Sequence, residues 1–175
     1  MAIEAGTQAP DFSLAGIDGA RYSLAEALAA GPVLLMFFKT TCATCDVACP
    51  YVNRLAEAYP NVGWTLWGIS QHPREESSVY AAKYDIEYPV LLDERDEGYP
   101  VSMAYDPPAT PTFYLIERDG QVAQESAGFD KGDLNAISAA LADRLDAERV
   151  IIAPADDGNP DSRPGCVPRH QLPRR

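Results

Sequence analysis

The feature that most constrains the fold is an uninterrupted apolar run, Val33–Phe38, that leads directly into a cluster of three cysteines. A continuous apolar run bounded by turn residues is typical of a strand that is buried on both faces of a sheet. Cys42, Cys45 and Cys49 follow within eight residues, at the start of a helical pattern. The pattern therefore predicts that a buried strand delivers a cysteine pair to the first turn of a helix.

The rest of the chain alternates between strand and helix patterns. Strands are predicted near 11–14, 21–22, 32–38, 62–69, 88–92, 112–117 and 121–126, and helices near 23–31, 43–59, 75–84 and 130–148, with one or two helical turns in 98–105. The first two strands and the last two strands flank Asp-Gly turns, which are hairpin signals. We therefore predict an α/β fold with a central mixed sheet flanked by helices and an N-terminal β-hairpin extension. Right-handed crossovers place the cysteine helix at the carboxyl end of a central strand, where open α/β sheets put their chemistry.

The composition changes at Ala153. The last 23 residues hold five of the 15 prolines and few apolar side chains. Such a segment buries too little apolar surface to offset its ordering entropy. We predict one domain over residues 1–152 and a flexible Pro/Arg-containing tail over residues 153–175.

Charge and composition limit the partners and the compartment. The formal net charge of −12 argues against nucleic acid and anionic membranes, because both would repel an acidic surface. The N-terminal residues lack the basic and apolar regions of a secretory signal, and the apolar run at Val33–Phe38 is far too short to span a bilayer. We therefore expect a cytoplasmic protein, in which close cysteines are more often catalytic or metal-binding than structural.

Cys42 and Cys45 have the spacing of a redox pair. A helix N-terminus carries unpaired N–H groups and a partial positive charge, and Lys39 adds charge three residues before Cys42. Both effects favour the reactive thiolate. Cys45, three residues on, faces the same side within disulfide reach. Cys42 is thus the predicted nucleophile and Cys45 the predicted resolving cysteine, whereas a plainer reading makes them buried small hydrophobes or ligands of a structural metal.

Two further cysteines leave alternatives open. Cys49 lies on the same helical face as Cys45 and is read as a packed core thiol, a second resolving cysteine or a third metal ligand. Cys166, in the tail, is read as incidental or as an extra redox thiol that reaches back to the site. Cys166 and His170 have Cys-x3-His spacing without a matching half, which is a weak zinc signal.

Residues 5–148 resemble the thioredoxin-like redoxins, specifically the TlpA/ResA-type thiol–disulfide oxidoreductases and the related peroxiredoxins (AhpC/TSA superfamily). The resemblance is carried by residues 6–14, Asp18-Gly19, Cys42-x-x-Cys45 with Pro50 following, Trp67-Gly68-Ile69-Ser70, and Thr110-Pro111-Thr112-Phe113 before Asp119-Gly120. It implies a thioredoxin-like fold and a cis peptide bond at Pro111, beside the cysteine pair. It also implies that the backbone of Thr110 binds an extended substrate segment.

The same resemblance implies what the protein works with. The substrates would be proteins or low-molecular-weight thiols and disulfides, and an upstream reductant such as a thioredoxin or glutathione system would supply electrons. The redox-active disulfide is itself the redox centre, so no organic cofactor is expected.

The sequence also departs from the resembled pattern. Thr41 stands where the family usually has tryptophan, Ala48 where a glutamate is common, and Met36 where thioredoxin has a buried acid. The proton acceptor for Cys45 is therefore Asp46 or water, or the site is slower than its relatives.

Two other functions compete with thiol–disulfide exchange. A peroxiredoxin-like peroxidase is an alternative, although neither Cys42 nor Cys45 fits the Pro-x-x-x-Thr-x-x-Cys pattern and Thr110 stands where the peroxide-polarising arginine belongs. A non-catalytic metal- or partner-binding module that uses Cys42, Cys45 and Cys49 is an alternative of another class.

Overall fold

A five-stranded mixed sheet forms the centre of the protein. The computed structural model describes residues 1–60 and 62–173. The strands are β1 Ser13–Ala15, β2 Arg21–Ser23, β3 Val33–Phe38, β4 Thr65–Ser70, β5 Val90–Leu92, β6 Thr112–Ile116, β7 Val122–Ala127, β8 Phe129–Asp130 and β9 Ser162–Arg163; the helices are α1 Leu24–Ala30, α2 Ala43–Ala58, α3 Arg74–Lys83, α4 Pro100–Tyr105 and α5 Lys131–Leu145. The central sheet has the order β5-β4-β3-β6-β7, while β1 pairs with β2 and β8 with β9.

Strand β3 is the middle strand, and all six of its residues are buried. It runs parallel to β4 and antiparallel to β6. Because side chains alternate between the two faces of a strand, Leu34, Met36 and Phe38 belong to one core and the alternate residues belong to the other. Helices α2, α3 and α5 cover the first face, and the β1–β2 hairpin, α1 and α4 cover the second. This two-sided burial explains the continuous apolar run.

The predicted α/β architecture and its N-terminal hairpin are confirmed. Ser23 caps α1 by accepting a hydrogen bond from the Glu26 N–H, and Asp130 caps α5 by accepting one from Asp133. Strand β5 lies at the sheet edge, which suits the proline that precedes it. Strand β4 begins three residues later than expected, because Val62 is exposed and its N–H donates to Pro60 in a turn. None of the described helices is long and apolar enough to cross a membrane.

The C-terminal segment differs from the sequence expectation. Residues 153–173, called the strap below, lie folded against the domain rather than extending from it as a flexible tail, and residues 174–175 lie outside the described residues. Its first half is held by Lys131, whose Nζ donates to Asp157 Oδ1 at 2.7 Å and to the carbonyls of Ala155 and Asn159 at 3.2 and 3.1 Å. Hydrogen bonds and an ion pair, rather than apolar burial, thus hold this half of the strap against the domain.

One glycine in the fold offers a sharp test of packing. Gly31 ends α1 with φ +154°, and a Cβ there would overlap the backbone carbonyl of Gly63. Gly19, in the β1–β2 turn, also has positive φ (+82°) but has open space around it. We expect Gly19→Ala to cost about 1–2 kcal/mol for its left-handed backbone. We expect Gly31→Ala to cost at least about 3 kcal/mol, because a steric overlap is added to an unfavourable backbone.

Urea unfolding of the two variants beside the wild type measures the difference in the free energy of unfolding. Equal losses at the two positions would contradict the close approach of α1 to the segment that precedes β4.

Candidate active site

Cys42 is the N-cap residue of helix α2. Strand β3 ends at Phe38, and three residues carry the chain to Cys42, which has extended backbone angles. Its Sγ accepts a hydrogen bond from the Cys45 N–H at 3.2 Å. The sulfur therefore satisfies one of the unpaired N–H groups that every helix N-terminus presents. Only about 1 % of Cys42 is exposed, so it is covered in this structure.

The Thr110–Pro111 peptide bond lies directly beside Cys42 and is cis, the isomer that the resemblance implies. Strand β6 follows this bond and pairs antiparallel with β3, with Thr112 opposite Phe37. This register brings the start of β6 to the end of β3, where the cysteine helix begins. Cys42 Sγ lies 3.2 Å from the carbonyl oxygen of Thr110 and donates to it when the thiol is protonated.

Cys45 and Cys49 lie deeper than Cys42, on the buried side of α2. Burial is the main cause that raises the pKa of the Cys45 thiol well above its usual range. Burial also raises the pKa of Cys49 to about 11. Cys49 Sγ lies 3.5 Å from the Tyr80 hydroxyl, which donates to Asp46 Oδ1 at 2.9 Å. Both thiols are therefore protonated at neutral pH.

The environment of Cys42 acts in the opposite direction. Hydrogen bonding from the Cys45 thiol is the largest cause that lowers the pKa of Cys42 to about 5, followed by the Cys166 thiol, the Cys45 N–H and Thr110, against the opposing effect of burial. A thiolate is the reactive form in disulfide exchange. At neutral pH the Cys42 thiol is therefore ionised, whereas the Cys45 and Cys49 thiols are protonated. This matches the predicted roles, because the nucleophile is the cysteine that must be ionised first.

Cys166 also lies at this site. It forms an antiparallel backbone bridge with Thr110, and its Sγ is 2.8 Å from Cys42 Sγ. All four cysteines are free thiols in the structure. Burial and its bond with Cys42 raise the pKa of the Cys166 thiol. The structure therefore brings together Cys42, Cys45, Thr110, Pro111 and Cys166, while Cys49 is one turn further along α2.

The residues that replace the usual supporting groups are placed as follows. Asp46, one predicted proton acceptor for Cys45, is linked through Tyr80 to Cys49. Met36 is buried in the sheet core, with the Tyr88 hydroxyl 3.9 Å from its sulfur. Ala48 is buried and Thr41 is exposed. Tyr80 was not singled out in the sequence, because its role depends on how α3 packs against α2.

The arrangement of the histidines bears on the metal alternative. Within residues 1–60 and 62–173, no group of three or more His, Cys, Asp or Glu side chains is placed to hold a metal ion. His170 lies between Gln71 and Asp106, with each ring nitrogen 3.0 Å from its partner. His72 Nδ1 lies 2.6 Å from Glu76 and 3.0 Å from the Arg169 guanidinium. Both rings thus take part in polar networks of the fold.

Two further side chains at the site bind the strap, a contact that the sequence did not predict. Thr44, between the two cysteines, donates to the Pro164 carbonyl at 2.7 Å, and Lys39 Nζ donates to the Val167 carbonyl at 2.6 Å. Lys39 was expected to supply positive charge near Cys42, but it also binds the strap.

A cleft of about 540 Å³ lies elsewhere, between the β1–β2 hairpin and the start of β4, and none of the four cysteines lines it.

Comparison with known proteins identifies relatives over most of the chain. The AhpC/TSA family model matches residues 5–125. The thiol-disulfide oxidoreductase ResA of Geobacillus kaustophilus is 30% identical over 128 residues, which cover 73% of this chain and 71% of the relative. The thioredoxin-like protein YneN of Bacillus subtilis is 28% identical over 131 residues, which cover 73% of this chain and 74% of YneN.

Solved structures agree on the fold. The crystal structure of a putative thiol:disulfide interchange protein DsbE from Chlorobium tepidum has a TM-score of 0.71 at 23% identity, covering 83% of this chain and 99% of that one. The strap lies beyond the residues that the family model matches. On the extent of the match and the identity to ResA, the chain belongs to the AhpC/TSA family, as a thioredoxin-like relative of the ResA-type proteins.

Proposed function

We propose that this protein is a thiol–disulfide oxidoreductase in which Cys42 is the nucleophile and Cys45 the resolving cysteine. The observation that carries the proposal is the contrast between the two sulfurs. Cys42 caps α2 beside Thr110 with a pKa lowered to about 5, and Cys45 is fully buried one turn behind it with a raised pKa. The ResA relatives, which bear the name thiol-disulfide oxidoreductase, support the same activity.

Reduction of a substrate disulfide takes two exchange steps. The Cys42 thiolate attacks one sulfur of the substrate, forms a mixed disulfide and expels the other substrate sulfur as a thiolate, which takes up a proton. Cys45 then loses its proton to solvent or to the departing sulfur and attacks Cys42 Sγ. The substrate leaves fully reduced, and the enzyme keeps a Cys42–Cys45 disulfide.

The groove that receives the substrate is built from the Thr110–Pro111 segment. The N–H and carbonyl of Thr110 are positioned to pair with an extended peptide, since they pair with Cys166 of the strap here. We propose protein or small-thiol substrates and an upstream reductant, such as a thioredoxin or glutathione system, that returns two electrons to the disulfide. The cysteine pair carries these electrons, so the reaction needs no organic cofactor. The cytoplasmic location stays a prediction.

Thiol trapping with mass spectrometry across a glutathione redox series tests the proposal. We expect a Cys42–Cys45 disulfide to form and to be reduced reversibly as the ratio of reduced to oxidised glutathione changes. Hydrogen peroxide consumption with a thiol reductant, measured on the same preparation, tests the peroxidase alternative and is expected to stay at the level of a protein-free control.

Metal analysis of protein that was purified without chelator tests the other alternative. Stoichiometric zinc or iron bound through Cys42, Cys45 and Cys49 would overturn the redox proposal. Peroxide turnover that depends on Cys45 would instead move the protein to the peroxidase class.

A further inference from the structure

The strap crosses the active site as an extended peptide. Strand β9 pairs with β8, and three residues later Cys166 pairs with Thr110. The Thr110 N–H donates to the Cys166 carbonyl at 2.9 Å, and the Cys166 N–H donates to the Thr110 carbonyl at 2.8 Å. These are the two backbone groups that the groove offers to a substrate. The strap therefore occupies the position of a bound substrate peptide.

The fit of the strap is specific around Cys166. Thr44 binds the carbonyl of Pro164 at 2.7 Å, and Lys39 binds the carbonyl of Val167 at 2.6 Å. A Cβ on Gly165 would lie 2.6 Å from the Ala109 Cβ and 2.8 Å from the Thr110 carbonyl oxygen. Only glycine brings the backbone this close to the groove. The result is that Cys166 Sγ lies 2.8 Å from the nucleophilic sulfur.

Both ends of the strap are fixed to the domain. Lys131 binds Asp157 Oδ1 and two strap carbonyls, and Tyr51 donates to the other oxygen of Asp157. Beyond Cys166, the Arg169 N–H donates to Gln71 Oε1 at 2.7 Å, and the His170 ring lies between Gln71 and Asp106. A thiol that is tethered at both sides reacts at a high effective concentration, because its translational freedom is already lost.

We propose that Cys166 is a third redox-active cysteine, which forms a disulfide with Cys42 while the strap is seated as a tethered substrate. This inference rests on the proposed function. In the oxidised enzyme, the Cys166 thiolate attacks Cys42 Sγ, the Cys42–Cys45 bond breaks, and Cys45 leaves as a thiolate that takes up the proton which Cys166 released. One disulfide replaces another, so no external oxidant is consumed.

The same chemistry applies to a mixed disulfide between Cys42 and a small thiol. Cys166 attacks Cys42 Sγ and expels the small thiol as a thiolate, which leaves a Cys42–Cys166 disulfide. Protein substrates must displace the strap before they reach Cys42, since both use the Thr110 backbone.

The experiment treats the full-length reduced protein with oxidised glutathione, blocks free thiols and digests without reduction. Trypsin cuts after Lys39, Arg54, Arg149 and Arg169, and a proline protects the bond after Arg163. A Cys42–Cys166 disulfide joins peptide 40–54 to peptide 150–169, whereas a Cys42–Cys45 disulfide stays within peptide 40–54. We expect the joined peptides in the wild type and their accumulation in Cys45→Ser, where the competing bond cannot form.

Single substitutions identify the two cysteines whose disulfide joins the peptides. The joined peptides should disappear in Cys42→Ser and in Cys166→Ser but persist in Cys49→Ala. Gly165→Ala should lower their yield at least about tenfold by unseating Cys166, because the tether then no longer concentrates the thiol at Cys42. Val167→Ala is the matched control, since its side chain is exposed and its backbone contact with Lys39 remains.

The outcomes separate the two proposals. A Cys42–Cys45 disulfide in the wild type, with no joined peptides in either the wild type or Cys45→Ser, overturns the role of Cys166 and leaves the proposed function standing. Joined peptides that survive in Cys42→Ser also overturn it. The absence of any Cys42 disulfide across the redox series overturns the proposed function itself.

Discussion

Replacing Cys42 by serine is expected to lower the rate of disulfide reduction by at least about a thousandfold, the order of loss that follows removal of an enzyme nucleophile. The reason is that a serine hydroxyl stays protonated at neutral pH and cannot form the mixed disulfide. Reduction of insulin by the protein in the presence of dithiothreitol, followed by turbidity, measures the loss. Cys49→Ala is the matched control on the same helix, because that thiol bonds Tyr80 rather than substrate.

Cys45→Ser is expected to stop the reaction after its first exchange step, when the mixed disulfide has formed. The attack by Cys42 remains, so one equivalent of substrate thiol is released, but the mixed disulfide then accumulates unless Cys166 resolves it. Turnover falls with a burst of about one product per enzyme, which is the signature of a stalled covalent intermediate. The double variant Cys45→Ser, Cys166→Ser should hold the mixed disulfide longest. Activity that survives loss of Cys42 but not of Cys45 would reverse the assigned roles.

The central sheet and the cysteine pair could be predicted from the sequence because their signals are local. The continuous run at Val33–Phe38 indicates burial on both faces, and the structure gives these residues alternately to two cores. The spacing of Cys42 and Cys45 predicts a shared helical face. The Thr110–Pro111 segment follows from the resemblance, and the antiparallel register of β3 and β6 accounts for its place beside Cys42.

The docked strap could not be predicted, because its contacts join residues that are far apart in the sequence and follow no period. Lys131 reaches Asp157, and Arg169 reaches Gln71. The prolines that suggested disorder also restrict the unfolded chain, so ordering this segment costs less entropy than its composition implies. One signal was present in the sequence: Arg163-Pro164-Gly165-Cys166 sets a small residue beside a cysteine.

The network of Tyr80, Asp46 and Cys49 could not be predicted from the sequence for a related reason. Asp46 follows Cys45 directly, so sequence position alone favours it as proton acceptor for that thiol. Packing of α3 against α2 instead places the Tyr80 hydroxyl on the Asp46 carboxylate, and the ring of Tyr80 stacks on Phe38 with 5.4 Å between ring centroids. Helix packing between distant segments thus decides which side chains the Asp46 carboxylate contacts.

The Cys42 thiolate is expected to form at an unusually low pH. A thiol with pKa about 5 is ionised to about 99% at pH 7, against about 1% for a thiol at the usual pKa of 9.0. Titration of the reduced protein by thiolate absorbance at 240 nm should therefore show one thiolate with an inflection near pH 5. Cys42→Ser should lack it. Cys166→Ala should move it upward, because a hydrogen bond that lowers the pKa of Cys42 is lost.

The lowered pKa of Cys42 also predicts how the free energy of unfolding changes with pH. The pKa of Cys42 is lower in the folded protein than its usual value of 9.0, so the folded state binds fewer protons between pH 9 and pH 5. The stabilisation from the ionised thiol is complete above about pH 9, declines through this range and is absent below about pH 5. Comparison of the reduced wild type with Cys42→Ala by urea unfolding isolates it, since the carboxylates titrate alike in both proteins. A difference in the free energy of unfolding that stays constant from pH 5 to pH 9 would contradict the lowered pKa. It would also remove the electrostatic basis for Cys42 as the nucleophile.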